Sequence, residues 1–476
     1  MQAISGRNKP RRYRSLGRLT HKGVILMFAG CAAFLSPGVE NVGHCKEAVG
    51  VPNILLILAD DMGYGDLGCY GCTDTRTPTL DRLASEGVRF TNYYANGPEC
   101  TPTRTALMTG RYQHRVGGLE CAIGTGNVGR YDDAIRLRET HDLGLPTSET
   151  TIIRLVKQAG YEVVGFGKWH LGYEKKFWPL EHGFEQYFGP LGGGVDYFYH
   201  IESNGDPVLY DNGRIVTREG YMTDMITDSA EAFVRQYDGR RPFFLYVPYT
   251  CPHTPIQDPD TKPAVPRVKA NWNEGSRETY AKMNERMDQG IGKILHALDE
   301  RKLADNTLVI FASDNGGTRT ARNAPFSGFK GGLMEGGIRV PAIVRWPGVV
   351  PRGVVSDQAT IMLDFSRSIV RAAGAKIPAD RPFDGIDILA HLAKRQPDVS
   401  RSLFWRQRRG DLTWRAVRDG SLKYLTRQTG PKLEEWLFDL SADPAESKNL
   451  LTSRPDDYNR LKKLLTDWEA DVRPAR

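Results

Sequence analysis

The sequence predicts an α/β fold: a large, mainly parallel mixed sheet flanked by helices, with a small C-terminal antiparallel sheet and a helix. Three observations predict it. Residues 53–59, 242–248 and 307–312 are continuous apolar runs, the pattern of parallel strands covered on both faces. Segments of helical spacing alternate with them, as a mainly parallel sheet requires. From about residue 378 the chain changes to short, closely spaced, aromatic strands.

Taken in order, the run 53–59 ends in Asp60-Asp61-Met-Gly-Tyr-Gly-Asp66. Leu80, Leu83 and Ala84 give a helix over 79–87, which Gly87 stops. Residues 88–94 alternate as a strand leading into the loop before Cys100. Pro102 suits the first turn of a helix, where its missing N–H costs nothing. Cys100 therefore falls at or just before a helix N-terminus, where unpaired N–H groups and the macrodipole favour anions. Arg104, four residues on, lies on the same face. A helix over 151–160 stops at Gly160, and the strand 161–166 ends in Gly167-Lys168-Trp169-His170. Residues 177–221 are rich in glycine and aromatics without periodicity, and read as an irregular insertion near the active face. A helix at 223–237 precedes the strand 242–248, which ends in Cys251-Pro252-His253. A proline-rich loop to Pro266 and a long amphipathic helix over 278–298 follow. The strand 307–312 ends in Ser313-Asp314-Asn315, and 341–346 is a further strand. C-terminal strands are expected at 402–407, 413–418, 422–426 and 435–440, then a helix from Pro455.

The formal charge of +7 misleads. Residues 1–22 hold seven basic residues and no acid, and the other 57 basic residues match the 57 acidic ones. The body of the protein has no basic excess suited to nucleic acid. The apolar run 23–35 behind that basic segment reads as an export signal, too short for a comfortable membrane span; the alternative is an uncleaved signal anchor. Arg11-Arg12 suggests twin-arginine export. Phe28-Ala-Gly-Cys31 resembles a bacterial lipoprotein cleavage site, with Phe in place of the usual Leu, which would make Cys31 a lipid anchor. The expected location is exported, periplasmic or extracellular. Export permits disulfides among the seven cysteines. Cys69-x-x-Cys72 lacks a second pair or a nearby histidine, so structural thiols or a local disulfide are expected there rather than zinc.

In open α/β sheets, ligands bind beyond the carboxyl ends of the strands. Four strands end in polar clusters: Asp60-Asp61, Lys168 with His170, His253, and Asp314-Asn315; Cys100 and Arg104 follow a fifth. Any one of these could be a solvated turn or a helix cap, but five on one edge point to a site. Clustered carboxylates need a cation or shared protons. Asp60, Asp61, Asp314 and Asn315 offer hard oxygens, which favours Ca²⁺ or Mg²⁺, and more than one aspartate favours Ca²⁺. Arg104, Lys168 and Lys330, with His170 and His253, would then surround a doubly charged substrate group; Lys330 lies in the glycine-rich loop 328–337.

On these motifs the chain resembles the type I sulfatases of the alkaline-phosphatase-like superfamily, from residue 52 to about 450. Cys100-x-Pro-x-Arg104 with Leu107-Met-Thr-Gly-Arg111 is similar to the family's main signature. Gly160-Tyr161 with Gly167-Lys-Trp-His170 is similar to its second. Asp60 to Asp66, Pro252-His253, Ser313 to Gly316, the Lys330 loop and the ending at 437–450 fall in the expected order. Thr103 and Val163 depart from the commoner residues at their positions, and neither carries an assigned role.

The resemblance implies that a maturation enzyme oxidises Cys100 to Cα-formylglycine. The hydrated aldehyde would attack the sulfur of a sulfate ester beside one Ca²⁺, held by Asp60, Asp61, Asp314, Asn315 and the modified Cys100. His253 would protonate the leaving alcohol, with Lys330 in support. Arg104 and Lys168 would neutralise the sulfuryl oxygens, and His170 would act as the base that releases sulfate. Glu335, Arg339 and Asp66 read as supporting or structural residues. The expected substrate is a sulfated carbohydrate or an aryl sulfate. The stretch 192–200, with Asp196 and Tyr197, and the residues Arg319 and Arg322 are expected at the pocket mouth. The expected organisation is 1–45 signal and linker, 46–377 catalytic domain and 378–476 C-terminal subdomain. The alternatives are a phosphonate monoester or phosphodiester hydrolase of the same superfamily, a choline-type alkyl sulfatase, and a non-catalytic exported carbohydrate-binding protein, whose mark would be a broken motif.

Overall fold

The computed structural model describes residues 50–124 and 130–474. The expected export segment, with Cys31, lies outside them. Among the described residues no helix is long and apolar enough to cross a membrane.

The strands are β1 (Asn53–Ala59), β2 (Val88–Phe90), β3 (Tyr93–Tyr94), β4 (Glu162–Phe166), β5 (Gln186–Pro190), β6 (Leu209–Asp211), β7 (Arg214–Ile215), β8 (Phe243–Pro248), β9 (Thr307–Ser313), β10 (Ala342–Arg345), β11 (Val354–Ser356) and β12 (Thr360–Ile361). Ten of them make one sheet in the order β11-β2-β10-β9-β1-β8-β4-β5-β6-β7. From β9 to β5 the pairs are parallel; β10 and β6 add antiparallel neighbours on either side. This is the mixed, mainly parallel sheet that the apolar runs predict.

β1 shows why those runs are continuous. Ile54, Leu56 and Leu58 belong to one apolar core, and Leu55, Ile57 and Ala59 to the other. Successive side chains point to opposite faces, and both faces are covered. On one face lie α1 (Pro78–Ser85) and, further along the chain, Met222–Gln236 and Arg277–Glu300. On the other lie α2 (Cys100–Thr109), α3 (Asp132–Glu139) and α4 (Ile152–Gln158), with the later helices at Met362–Ala372 and Ile388–Ala393. The Thr151 hydroxyl accepts from the Arg154 N–H and caps α4.

The C-terminal sheet is an antiparallel meander of β13 (Ser402–Arg409), β14 (Leu412–Asp419), β15 (Leu422–Thr429) and β16 (Lys432–Asp439). Its register leaves two-residue turns, each opened by a glycine at positive φ (Gly410 64°, Gly420 60°, Gly430 52°). A helix at Pro455–Asp471 covers it. The sheet packs on the main body: Trp405 is fully buried and its indole N–H donates to the Ala95 carbonyl at 2.8 Å.

Two sequence expectations change. Residues 177–221 are not simply an irregular insertion, because Gln186–Pro190 is a strand parallel to β4. Its burial comes from neighbouring strands, not from any local alternation. Residues 88–94 are not one strand: β2 joins the main sheet, while β3 pairs separately with β12. Cys69 and Cys72 are free thiols.

Candidate active site

The parallel register builds the site. Ala59 lies opposite Ser313, Leu58 opposite Pro248, and Gly165 opposite Tyr246. β9, β1, β8 and β4 therefore end at one edge, and Asp314-Asn315, Asp60-Asp61, His253 and Lys168 emerge side by side there. Helix α2 starts at this edge with Cys100 as its first residue. One turn on, Arg104 donates from Nε to Asp314 Oδ2 at 2.9 Å and from Nη1 to the Lys168 carbonyl at 2.9 Å. Asp61 and His170 hold φ of 69° and 56°, a left-handed backbone that such residues adopt uncommonly and that concentrates at functional sites.

The cluster is buried and charged. Asp60, Asp61, Asp314, Arg104 and Lys168 are at most 1% exposed. Lys168 Nζ lies 2.5 Å from Asp60 Oδ2, and Lys330 Nζ 2.7 Å from Asp61 Oδ1. Burial opposes the charge on Asp61, but Lys330, His253 and Lys168 together outweigh it and hold that carboxyl well below its usual range. At Asp314 burial and the Asp60 charge prevail over Arg104, and the carboxyl is pushed up to about 6.

Cys100 Sγ sits 3.2 Å from Asp60 Oδ1, 3.2 Å from Lys168 Nζ and 3.6 Å from Lys330 Nζ. Burial and the Asp314 and Asp60 carboxylates push its thiol well above the ordinary value. Reactive cysteines sit in the opposite, electropositive environment. The encoded thiol is thus a poor nucleophile where it stands.

The two histidines are held by backbone. His170 Nε2 lies 2.5 Å from the Ile123 carbonyl, which can only accept, so Nε2 carries the proton. Its Nδ1 is buried without a partner among the described residues. Burial and the Lys168 charge keep this ring neutral. His253 Nδ1 donates to the Thr254 carbonyl at 2.6 Å, which turns Nε2 to 3.7 Å from Asp61 Oδ2. Burial and Lys330 push its pKa down to about 3.

One donor atom from each of Asp60, Asp61, Cys100 and His253 falls within 4.8 Å of the others. Asn315 Nδ2 donates to Asp61 Oδ1 at 2.7 Å, while its Oδ1 is buried without a partner among the described residues. An orphaned buried acceptor beside carboxylates fits a hard cation. His253 brings a further donor atom to this group, and Asp314 lies alongside, held by Arg104 and the Asp61 N–H.

A pocket of about 730 Å³ opens over Cys100, His170, His253 and Lys330. Gly193 and Gly194 line it, as does Arg319. The rest of the 192–200 stretch does not come to the mouth as expected. Val195, Asp196 and Tyr197 are buried, and Asp196 accepts from the Phe198, Tyr199 and Arg267 N–H groups. Arg322 also misses the pocket, because Asp74 holds it at 3.3 Å. Sequence reasoning missed Glu99, Arg130, Trp272 and Arg409, all of which line the pocket. Only Glu99 had a local signal, its place beside Cys100. Asp66 ties down the glycine turn through the Gly63 N–H, and Glu335 pairs with Arg339 and Lys423, all structural contacts.

The family model described as Sulfatase matches residues 52–375, and that described as N-sulphoglucosamine sulphohydrolase, C-terminal, matches 329–471. The chain is 36% identical to N-acetylgalactosamine-6-sulfatase of Homo sapiens over 358 residues, 72% of this chain and 66% of that protein. It thus spans slightly under two thirds of that relative's length. It is 30% identical to arylsulfatase J of Mus musculus, over 89% of this chain and 77% of that protein. Among solved structures, Ps i-CgsB in complex with k-i-k-neocarrahexaose superposes with a TM-score of 0.77 at 31% identity, covering 89% of this chain and 94% of the other. With the signature residues gathered at one sheet edge and a family model matched over most of its length, the chain belongs to the sulfatase family.

Proposed function

We propose that this protein hydrolyses sulfate esters of a sulfated carbohydrate, using a formylglycine made from Cys100 and a bound calcium ion, after export from the cytoplasm. The observation that carries the reading is the seat of Cys100: the first residue of α2, within 3.6 Å of Asp60, Lys168 and Lys330. The names of the relatives support the sulfate ester, and the carrahexaose bound by the structural neighbour supports a carbohydrate.

Calcium, held by Asp60, Asp61, Asp314, Asn315 and the group at position 100, would supply a fixed positive charge against the ester oxygens. A hydrated aldehyde at position 100 would supply the attacking oxygen and a second hydroxyl for release of product. Lys168 and Lys330 flank position 100 from two sides, so their ammonium groups meet the charge that develops on the sulfuryl oxygens. Arg104 fixes Asp314 and the Lys168 backbone, which keeps the anionic side of the site in place. His253 Nε2 faces the site; the ring is neutral in the free protein, and it would give a proton to the leaving oxygen as the imidazolium that an entering anionic ester favours. His170 Nδ1, unprotonated and unpartnered among the described residues, takes up the proton on release. The Trp272 ring edge stands beside His253 across Gly194, where any Cβ would come within 2.9 Å of Trp272 and 3.1 Å of His253. It gives the departing sugar an apolar wall.

The second reading, a phosphoryl hydrolase, uses the same charges. Steady-state assay of matched 4-nitrophenyl sulfate and phosphate separates them. The expected result is a higher kcat/KM for the sulfate; a phosphate preferred by orders of magnitude overturns the sulfatase reading.

A further inference from the structure

Outside the catalytic cluster, the pocket holds a second built arrangement of charge. Glu99 immediately precedes Cys100 and is 2% exposed. Its Oε2 accepts from the Ala122 N–H at 2.8 Å, which fixes the carboxylate. Its Oε1 receives Arg409 Nη1 at 2.7 Å and lies 3.8 Å from Arg130 Nη1. Arg409 closes strand β13 of the C-terminal sheet, and the Gly410 N–H in the turn after it donates to the Arg130 carbonyl. That bond clamps the two arginine-bearing segments together.

Two guanidinium groups therefore share one carboxylate, one residue from the reacting centre, and all three side chains line the pocket. Burial and the Arg409 charge both act against the Arg130 cation. An anionic ligand relieves that repulsion, and a guanidinium pair offers the planar donors that a sulfate or carboxylate accepts. Lys269 and Arg319 add positive charge to the same pocket. Its other acid, Glu202, is engaged by the Tyr173 hydroxyl at 2.6 Å.

We propose that Arg130 and Arg409, set on Glu99, bind a second oxyanion of the substrate, so that the enzyme selects sugars carrying another anionic group besides the ester it cleaves. This rests on the sulfatase reading above. It assigns the C-terminal sheet a part in specificity, through Arg409. The Arg–oxyanion contact is made equally in ground and transition states, so it acts on KM more than on kcat.

The test compares three probes with the enzyme in its matured form: a singly sulfated neutral hexose, the same hexose with a second sulfate, and the singly sulfated sugar with a uronate carboxylate. The expected result is a kcat/KM about tenfold or more higher for one or both doubly charged sugars, the order of a charge-assisted pair. The two arms show which oxyanion fits. R130Q and R409Q should each shrink that preference about fivefold or more, mainly through KM, with thermal unfolding checking that each variant is folded. Equal use of singly and doubly charged sugars by the wild type overturns the proposal, and so does a preference that survives in both folded variants. If 4-nitrophenyl sulfate and every sulfated sugar go unhydrolysed, the sulfatase reading itself fails, and this proposal with it.

Discussion

The loop that carries Lys330 joins two clusters of buried charge. At its start Lys330 reaches Asp61, in the group with Asp60, Asp314, Arg104 and Lys168. At its end Glu335 meets Lys423 at 2.8 Å, and Lys423 meets Glu446 at 2.8 Å. The second cluster is closed. Lys423 is fully buried, the Tyr94 hydroxyl donates to Glu335 at 2.6 Å, and Glu446 accepts from the Glu335 N–H at 2.6 Å. The first is open on one side: Lys330 and His253 keep 18% and 14% side-chain exposure, and Asn315 Oδ1 and His170 Nδ1 stay unpartnered among the described residues. The same residue types thus serve two ends. Charges that satisfy one another hold the loop to the C-terminal sheet, whereas charges that leave atoms over and face a pocket await a ligand.

Substitutions can break this contrast. Cys100→Ala should lower kcat by a factor on the order of 10⁴ or more. Its thermal midpoint should stay near that of the wild type, because no buried charge loses its partner. A large drop in stability would place Cys100 among the structural residues. His253→Ala comes next, with a loss of about 10²–10⁴ in kcat. The loss should be greater for a sugar sulfate than for 4-nitrophenyl sulfate, whose leaving group needs little protonation; equal losses would deny His253 the role of acid.

The closed cluster should respond in the opposite sense. Lys423→Met leaves Glu446 buried without its cation and Glu335 with Arg339 alone, and should cost about 3–5 kcal/mol in denaturant unfolding. The folded fraction should keep turnover much nearer to the wild type than Cys100→Ala does; a kcat loss as large would merge the two clusters into one functional unit. Smaller still, exhaustive chelation of divalent cations should lower both activity and the thermal midpoint. Added Ca²⁺ should restore both, with about 2–4 kcal/mol of stabilisation at saturation. Indifference of both readouts would remove the cation from Asp60, Asp61 and Asn315.

The open cluster is the more legible of the two in the sequence. Asp60, Asp314 and Lys168 sit just after apolar runs, and a parallel register carries such positions to one edge, so pairing β1 with β9 brings Asp60 beside Asp314. Local pattern fails where tertiary contact decides. Gln186–Pro190 reads as irregular because Gly189 and Pro190 break its alternation, yet β4 beside it makes it a strand. Asp196 and Arg322 look free in the sequence, but backbone amides claim the first and Asp74 the second. No local signal joins Arg409 to Glu99 across 310 residues. The same holds for Lys423, on β15, and Glu335, at the start of a short helical turn, 88 residues apart.

What separates the open cluster from the closed one is, in the end, the chemical identity of residue 100. The direct measurement is the mass of the Cys100-containing peptide from active protein, produced together with a competent maturation enzyme. The expected peptide has one sulfur and two hydrogens replaced by one oxygen, the change from thiol to aldehyde, in proportion to specific activity. A fully active enzyme whose peptide retains the thiol would contradict the mechanism.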